Sequence, residues 1–177
     1  HGPAPLGYST RTMCGIVAYL GPRPAPPILL EGLRRLEYRG YDSAGCALLE
    51  QGELVVCRRV GRVADLERGL SESNLLHSQA NQGIAHTRWA THGPPTEVNA
   101  HPHTDDGGSR DAHGIALVHN GIIENHEALR QLLTQRGHVF QGQSDTEVLA
   151  HLVGELYVDD LETAVRSALH KVEGAFA

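Results

Sequence analysis

Cys14 sits in the run Met13-Cys14-Gly15-Ile16, which reads as the start of a protein set inside a longer chain. If translation begins at Met13, removing that Met leaves a cysteine whose thiol and free α-amino group share one residue. A nucleophile and a general base then lie within hydrogen-bond reach without help from the fold. An α-amino group titrates near ~7.7–8.0, so a useful fraction is unprotonated at neutral pH. The same residues allow a plainer reading. Ile16-Val17-Ala18-Tyr19-Leu20 is strand-like, and Cys14 could be a small buried residue at its start.

Four further clusters carry side chains suited to chemistry: Glu37–Gly45 (EYRGYDSAG), His86–Gly93 (HTRWATHG), His119–His126 (HNGIIENH) and Ser144–Glu147 (SDTE). Asn120-Gly121 suits a turn, or a pair of amide donors aimed at an oxyanion. Arg88 suits a two-pronged hold on a carboxylate, or a surface ion pair. Asp145 suits an ammonium partner, or an acid favoured in a first helical turn by the helix dipole. Trp89 is the only Trp and lies in a Gly- and Pro-flanked loop, so it is core or part of a closing lid. His101, His103 and the pair His86/His92 are metal candidates among twelve histidines. No third ligand accompanies them at a metal spacing, so no metal is expected. His92 and His119 are the candidate imidazoles if a side chain, not an amine, serves as base.

Taken in this order, the clusters resemble the glutaminase domains of the glutamine–fructose-6-phosphate aminotransferases. These are class II glutamine amidotransferases, which are N-terminal-nucleophile hydrolases. Met-Cys-Gly-Ile marks the wider class. Arg-Trp-Ala-Thr-His-Gly, His-Asn-Gly-Ile-Ile-Glu-Asn-His and Ser-Asp-Thr-Glu favour this branch over the amidophosphoribosyltransferases. The resemblance runs from Cys14 to near the C-terminus. It implies an α+β fold, a four-layer α/β/β/α sandwich of two antiparallel sheets. It implies L-glutamine as substrate and Cys14 as nucleophile, with its own amine moving the proton. Asn120 and Gly121 would form the oxyanion hole. Arg88 would hold the α-carboxylate of glutamine and Asp145 its α-ammonium. Trp89, Thr91 and His92 would line and close the pocket. It also implies no cofactor, sugar isomerase domains in the same polypeptide, a homodimeric full-length enzyme and a cytoplasmic location. There the ammonia would serve to make glucosamine-6-phosphate from fructose-6-phosphate.

Two rivals stay open at this point. One is a class II amidotransferase donating ammonia to another acceptor, such as phosphoribosyl pyrophosphate. The other is a non-catalytic glutamine sensor. One departure from the family also matters. Twelve residues and Met13 precede Cys14, so its nitrogen is an amide as written. The chain is therefore expected to be inactive or severely impaired until those residues are removed.

The elements that must position these residues are legible in outline. A strand over Gly15–Leu20 precedes prolines at 22, 24, 26 and 27, which break the chain. Ile28, Leu29, Leu33 and Leu36 then follow at helical spacing, with Glu31 and Arg35 as an i,i+4 pair. Segments 45–50 and 53–60 form a hairpin turning at Gln51-Gly52. Residues 61–82 hold one short helix. Strands are expected over 83–87 and 115–119, and helices over 124–136, 146–157 and 161–172. Ser144 and Glu147 fit a capping box. Residues 1–12 read as an extension or remnant outside the domain, and 13–177 as one glutaminase domain truncated at its C-terminus.

Composition bounds the rest. The 177 residues suit one domain with a real core. A formal net charge of -6 argues against nucleic acid as the main partner. No stretch is long and apolar enough to span a bilayer. The odd cysteine count, Cys14 with Cys46 and Cys57 in apolar surroundings, fits a reducing cytoplasm.

Overall fold

The computed structural model describes residues 14–89, 94–105 and 114–177. Strand β1 (Gly15–Leu20) leads to helix α1 (Ala25–Leu36), then the hairpin of β2 (Ser43–Glu50) and β3 (Glu53–Val60). Helix α2 (Val63–Glu72) and strand β4 (Gln82–Arg88) follow, then the short strands β5 (His103–Asp105), β6 (Ile115–Leu117) and β7 (Gly121–Ile123). Helices α3 (His126–Gln135), α4 (Asp145–Leu156) and α5 (Leu161–Leu169) precede β8 (Gly174–Phe176).

The main sheet is antiparallel in the order β1-β4-β2-β3, and β5-β6 and β7-β8 form two antiparallel ladders. Strand β2 explains the layering. Six successive residues from Ser43 to Leu48 are buried, so both of its faces are covered. On one face Ala44, Cys46 and Leu48 pack with Leu29 and Leu33 of α1 and Leu66 and Leu70 of α2. On the other, a Cβ at Gly45 would overlap the His101 carbonyl, so glycine permits the close approach. The helices α3, α4 and α5 form a second core with β6 and β7 through Leu133, Val148, Leu152, Ala164, Ile115 and Ile123. The fold is α+β in the expected helix–sheet–sheet–helix order. Among the described residues, the second sheet layer consists of two short ladders rather than one continuous sheet.

Local chemistry corrects some sequence expectations. The prolines do not all precede α1: Pro26 and Pro27 lie in its first turn. There the missing N–H costs no intrahelical bond. The hairpin turns with Gln51 at φ 53° and Gly52 at φ 90°, the left-handed pair of a type I′ turn. The capping box on α4 is half made. Ser144 Oγ accepts from the Thr146 N–H at 3.2 Å, but Glu147 instead accepts from the Gln141 and Gly142 N–H groups at 2.6 and 2.9 Å. Glu147 therefore ties the preceding loop to the helix. Helix α5 ends at Leu169, short of the expected residue 172.

Candidate active site

Strand register brings Cys14 to the end of β4. Gly15 pairs with Thr87, and Ser43 pairs with Arg88, so the residue before Gly15 abuts Arg88-Trp89. The Gly15 N–H donates to Thr87 Oγ1 at 3.2 Å. The Trp89 N–H donates to Cys14 Sγ at 3.2 Å. Burial pushes the Cys14 thiol above its ordinary value. The Trp89 N–H opposes that, the Asp42 carboxylate adds to it, and Arg88 pulls it down. The resting sulfur is thus a thiol with one donor already aimed at its charged form.

Asn120, just before β7, reaches Cys14 with its side chain. Asn120 Nδ2 donates to the Cys14 carbonyl at 3.1 Å. Its backbone pairs in both directions with Ala177, at 2.9 and 2.8 Å. Gly121 stands at φ +145°, and a Cβ there would overlap the Ala175 carbonyl. Only glycine fits that backbone beside β8.

Arg88 and Asp145 are both 4% exposed. Arg88 Nη1 donates to the Pro94 carbonyl at 3.4 Å. Burial lowers the guanidinium's affinity for its proton, and Asp42, Cys14 and Asp145, in that order, restore part of it. Those three groups therefore share the field around one buried cation. Asp145 opens α4, and its Oδ2 accepts from the Ile123 N–H at 2.9 Å. That bond ties the helix start to the strand beginning at Gly121. Trp89 places its ring edge-on to Tyr41, centroids 5.2 Å apart at 86°. Thr91 and His92 lie outside the described residues.

The described histidine candidates lie as follows. His86, His101 and His103 are buried together, with His86 stacked on His101 at 4.0 Å and His101 edge-on to His103 at 5.0 Å. Burial drives the His86 and His103 pKa values down to about 3 and that of His101 well below its usual value. They pack as neutral rings. His119, a candidate base, has Nδ1 2.9 Å from Thr146 Oγ1. Cys46 and Cys57 are free thiols opposite each other across β2 and β3, and burial pushes Cys46 up to about 12. They have the inert core character expected of them.

Three contributors were not singled out from sequence. Asp42 lay within a quoted cluster, but only packing shows its charge acting on Cys14 and Arg88. Thr87 and the Ile123 N–H act as anchors through register and tertiary approach, which residue types alone do not display.

Comparison with known proteins gives the chain its relatives. A family model for the glutamine amidotransferase domain matches residues 100–177. The chain is 55% identical to a Bordetella pertussis protein and 52% identical to a Thermosynechococcus vestitus protein, over 93% of its length. Both relatives are isomerizing glutamine–fructose-6-phosphate aminotransferases, and the chain spans only 26% of the length of each. Among solved structures, the B. subtilis glutamine phosphoribosylpyrophosphate amidotransferase complexed with ADP and GMP is similar at 30% identity and TM-score 0.74. That match covers 93% of this chain and 33% of the other. An allosteric regulatory enzyme of purine biosynthesis is similar at 31% identity and TM-score 0.75, covering 93% and 34%.

Proposed function

From a chain that carries a glutamine amidotransferase domain of the N-terminal-nucleophile fold, we propose a glutaminase that cleaves the side-chain amide of L-glutamine. The observation that carries this reading is the meeting of Cys14 with Asn120 and with the buried Arg88, whose charge Asp145 in turn faces. The Cys14 α-amine takes the thiol proton as sulfur attacks the amide carbon. The Trp89 N–H stabilises the sulfur as charge develops. Asn120 Nδ2 turns from the Cys14 carbonyl to the oxyanion, joined by the Gly121 N–H. Collapse expels ammonia, which receives its proton from the amine and leaves a γ-glutamyl thioester. Water then releases glutamate and restores the thiol.

Arg88 holds the substrate α-carboxylate and Asp145 the α-ammonium. Asp145 is suited to this because Ile123 fixes one of its oxygens and so orients the other. Together they select a free amino acid over a glutamine within a peptide. Trp89, with Thr91 and His92, covers the pocket and limits water.

In the complete protein, the ammonia passes to sugar isomerase domains of the same polypeptide and converts fructose-6-phosphate to glucosamine-6-phosphate. Identities of 52–55% to the fructose-6-phosphate enzymes, against 30–31% to the two solved structures, favour that acceptor. A homodimeric enzyme in the cytoplasm goes with this reading. Among the described residues no helix is long and apolar enough to cross a membrane. Residues 1–12 stand outside the glutaminase domain, and Met13 with them must be removed to free the amine.

The test is glutamate and ammonia release from L-glutamine by a chain beginning at Cys14, with Asp145→Asn beside it. Loss of a buried ammonium partner costs roughly 2–3 kcal/mol, so KM should rise on the order of 10²-fold. A helix-dipole role alone predicts an altered melting temperature of about 0.3–1 kcal/mol equivalent, with KM unchanged. That pattern, or no glutamine turnover at all, would overturn the reading.

A further inference from the structure

Three side chains on three elements outside the candidate active site direct ligand atoms at one another. Asp105 ends β5, His138 follows α3, and His151 lies within α4. His151 Nδ1 is 2.6 Å from Asp105 Oδ1. His138 Nδ1 is 3.2 Å from His151 Nδ1 and 3.5 Å from the same Asp105 oxygen. The side chains of Asp105, His138 and His151 are 2%, 9% and 9% exposed. Among the described residues this is the only trio of His, Cys, Asp or Glu whose ligand atoms converge so closely.

The spacing has a chemical meaning. Zinc takes nitrogen and oxygen ligands at about 2.0–2.2 Å in a tetrahedron, which sets neighbouring ligand atoms about 3.3 Å apart. The two separations from His138 Nδ1, 3.2 and 3.5 Å, already match that edge. The Asp105–His151 pair must open by about 0.7 Å, the change from a shared proton to a shared ion.

Surrounding groups fit the same reading. His138 Nε2 lies 3.1 Å from Glu155 Oε2. A histidine that gives its Nε2–H to a carboxylate carries its lone pair on Nδ1, the atom facing the trio. Metal-bound histidines are oriented by such an outer carboxylate. Helix α4 is notched to admit Asp105, because a Cβ at Gly154 would overlap its carboxylate. A cavity of about 220 Å³, lined by the trio with Gln141 and Glu147, leaves room for a solvent ligand.

We propose that Asp105, His138 and His151 form a divalent-metal site of the zinc type that pins β5 and the loop after α3 to α4. The sequence leads to no metal expectation, since its histidine candidates His101, His103 and His86/His92 lack a third ligand; the present trio lies on separate elements without a recognisable spacing. The site is distinct from the thiol chemistry at Cys14.

Zinc binding to the whole chain, stripped with chelator, tests this. The expected result is one Zn²⁺ per chain with a raised melting temperature. His138→Gln, which removes one of three protein ligands, should weaken binding by at least about 10²-fold, and Glu155→Gln by roughly 10-fold. Glu155→Gln leaves all three ligands in place, so its effect does not depend on the folding of the His138 variant. Co²⁺ in place of zinc should give tetrahedral visible bands without thiolate charge transfer. Three results would each overturn the proposal: no stoichiometric zinc, both variants binding as tightly as the parent, or a thiolate band that places the ion on Cys14.

Discussion

A chain beginning at position 14 with Cys14→Ala should release no ammonia above background, a fall in kcat on the order of 10⁶, as for loss of a hydrolase nucleophile. The free α-amine survives in this variant, so only the thiol is removed. No other described thiol can replace it. Cys46 and Cys57 are buried on β2 and β3, with Cys46 pushed up to about 12. The folded variant should still bind glutamine through Arg88 and Asp145, and mass spectrometry should find no γ-glutamyl adduct. A kcat within tenfold of the parent would mean that water attacks glutamine directly, and Cys14 would then be only the first residue of a strand.

Asn120→Ala should lower kcat by 10²–10³, about 2.7–4 kcal/mol of transition-state stabilisation, with KM nearly unchanged. Its backbone pairs with Ala177 in both directions, and alanine keeps those bonds. At rest the side chain makes one neutral hydrogen bond, to the Cys14 carbonyl at 3.1 Å. Losing that bond costs only about 1 kcal/mol of stability. A donor that acts mainly in the transition state should therefore show a kinetic loss well beyond its thermal one. If Asn120 merely shapes a turn, the melting temperature should move and kcat should not.

The parts of this molecule most visible in the sequence are those with local causes. Helix α1 announces itself through Leu29 and Leu33 at helical spacing, and the β2–β3 hairpin through Gln51-Gly52 between apolar runs. The short strands β5, β7 and β8 were not anticipated. Each has three residues, and β7 and β8 owe their conformation to each other across a long stretch of chain, as Gly121 does to Phe176. The site shows the same division. Cys14, Arg88, Asn120, Gly121 and Asp145 stand in recognisable clusters. The influence of Asp42 on the thiol arises only when the turn before β2 meets β1, and the Ile123 anchor for Asp145 only when β7 meets α4. The Asp105–His138–His151 trio was hidden for the same reason, since its ligands come from a strand, a loop and a helix.

The most direct test of N-terminal-nucleophile chemistry measures ammonia release from glutamine by two chains side by side. One begins at Cys14, and the other carries residues 1–13 ahead of it. An amide nitrogen cannot take the thiol proton, so only the first should be active, and the second should gain activity only with a mass loss that exposes Cys14. Equal activity in both, with residues 1–13 still attached, would contradict the role of the α-amine and move the base to an imidazole such as His119 or His92.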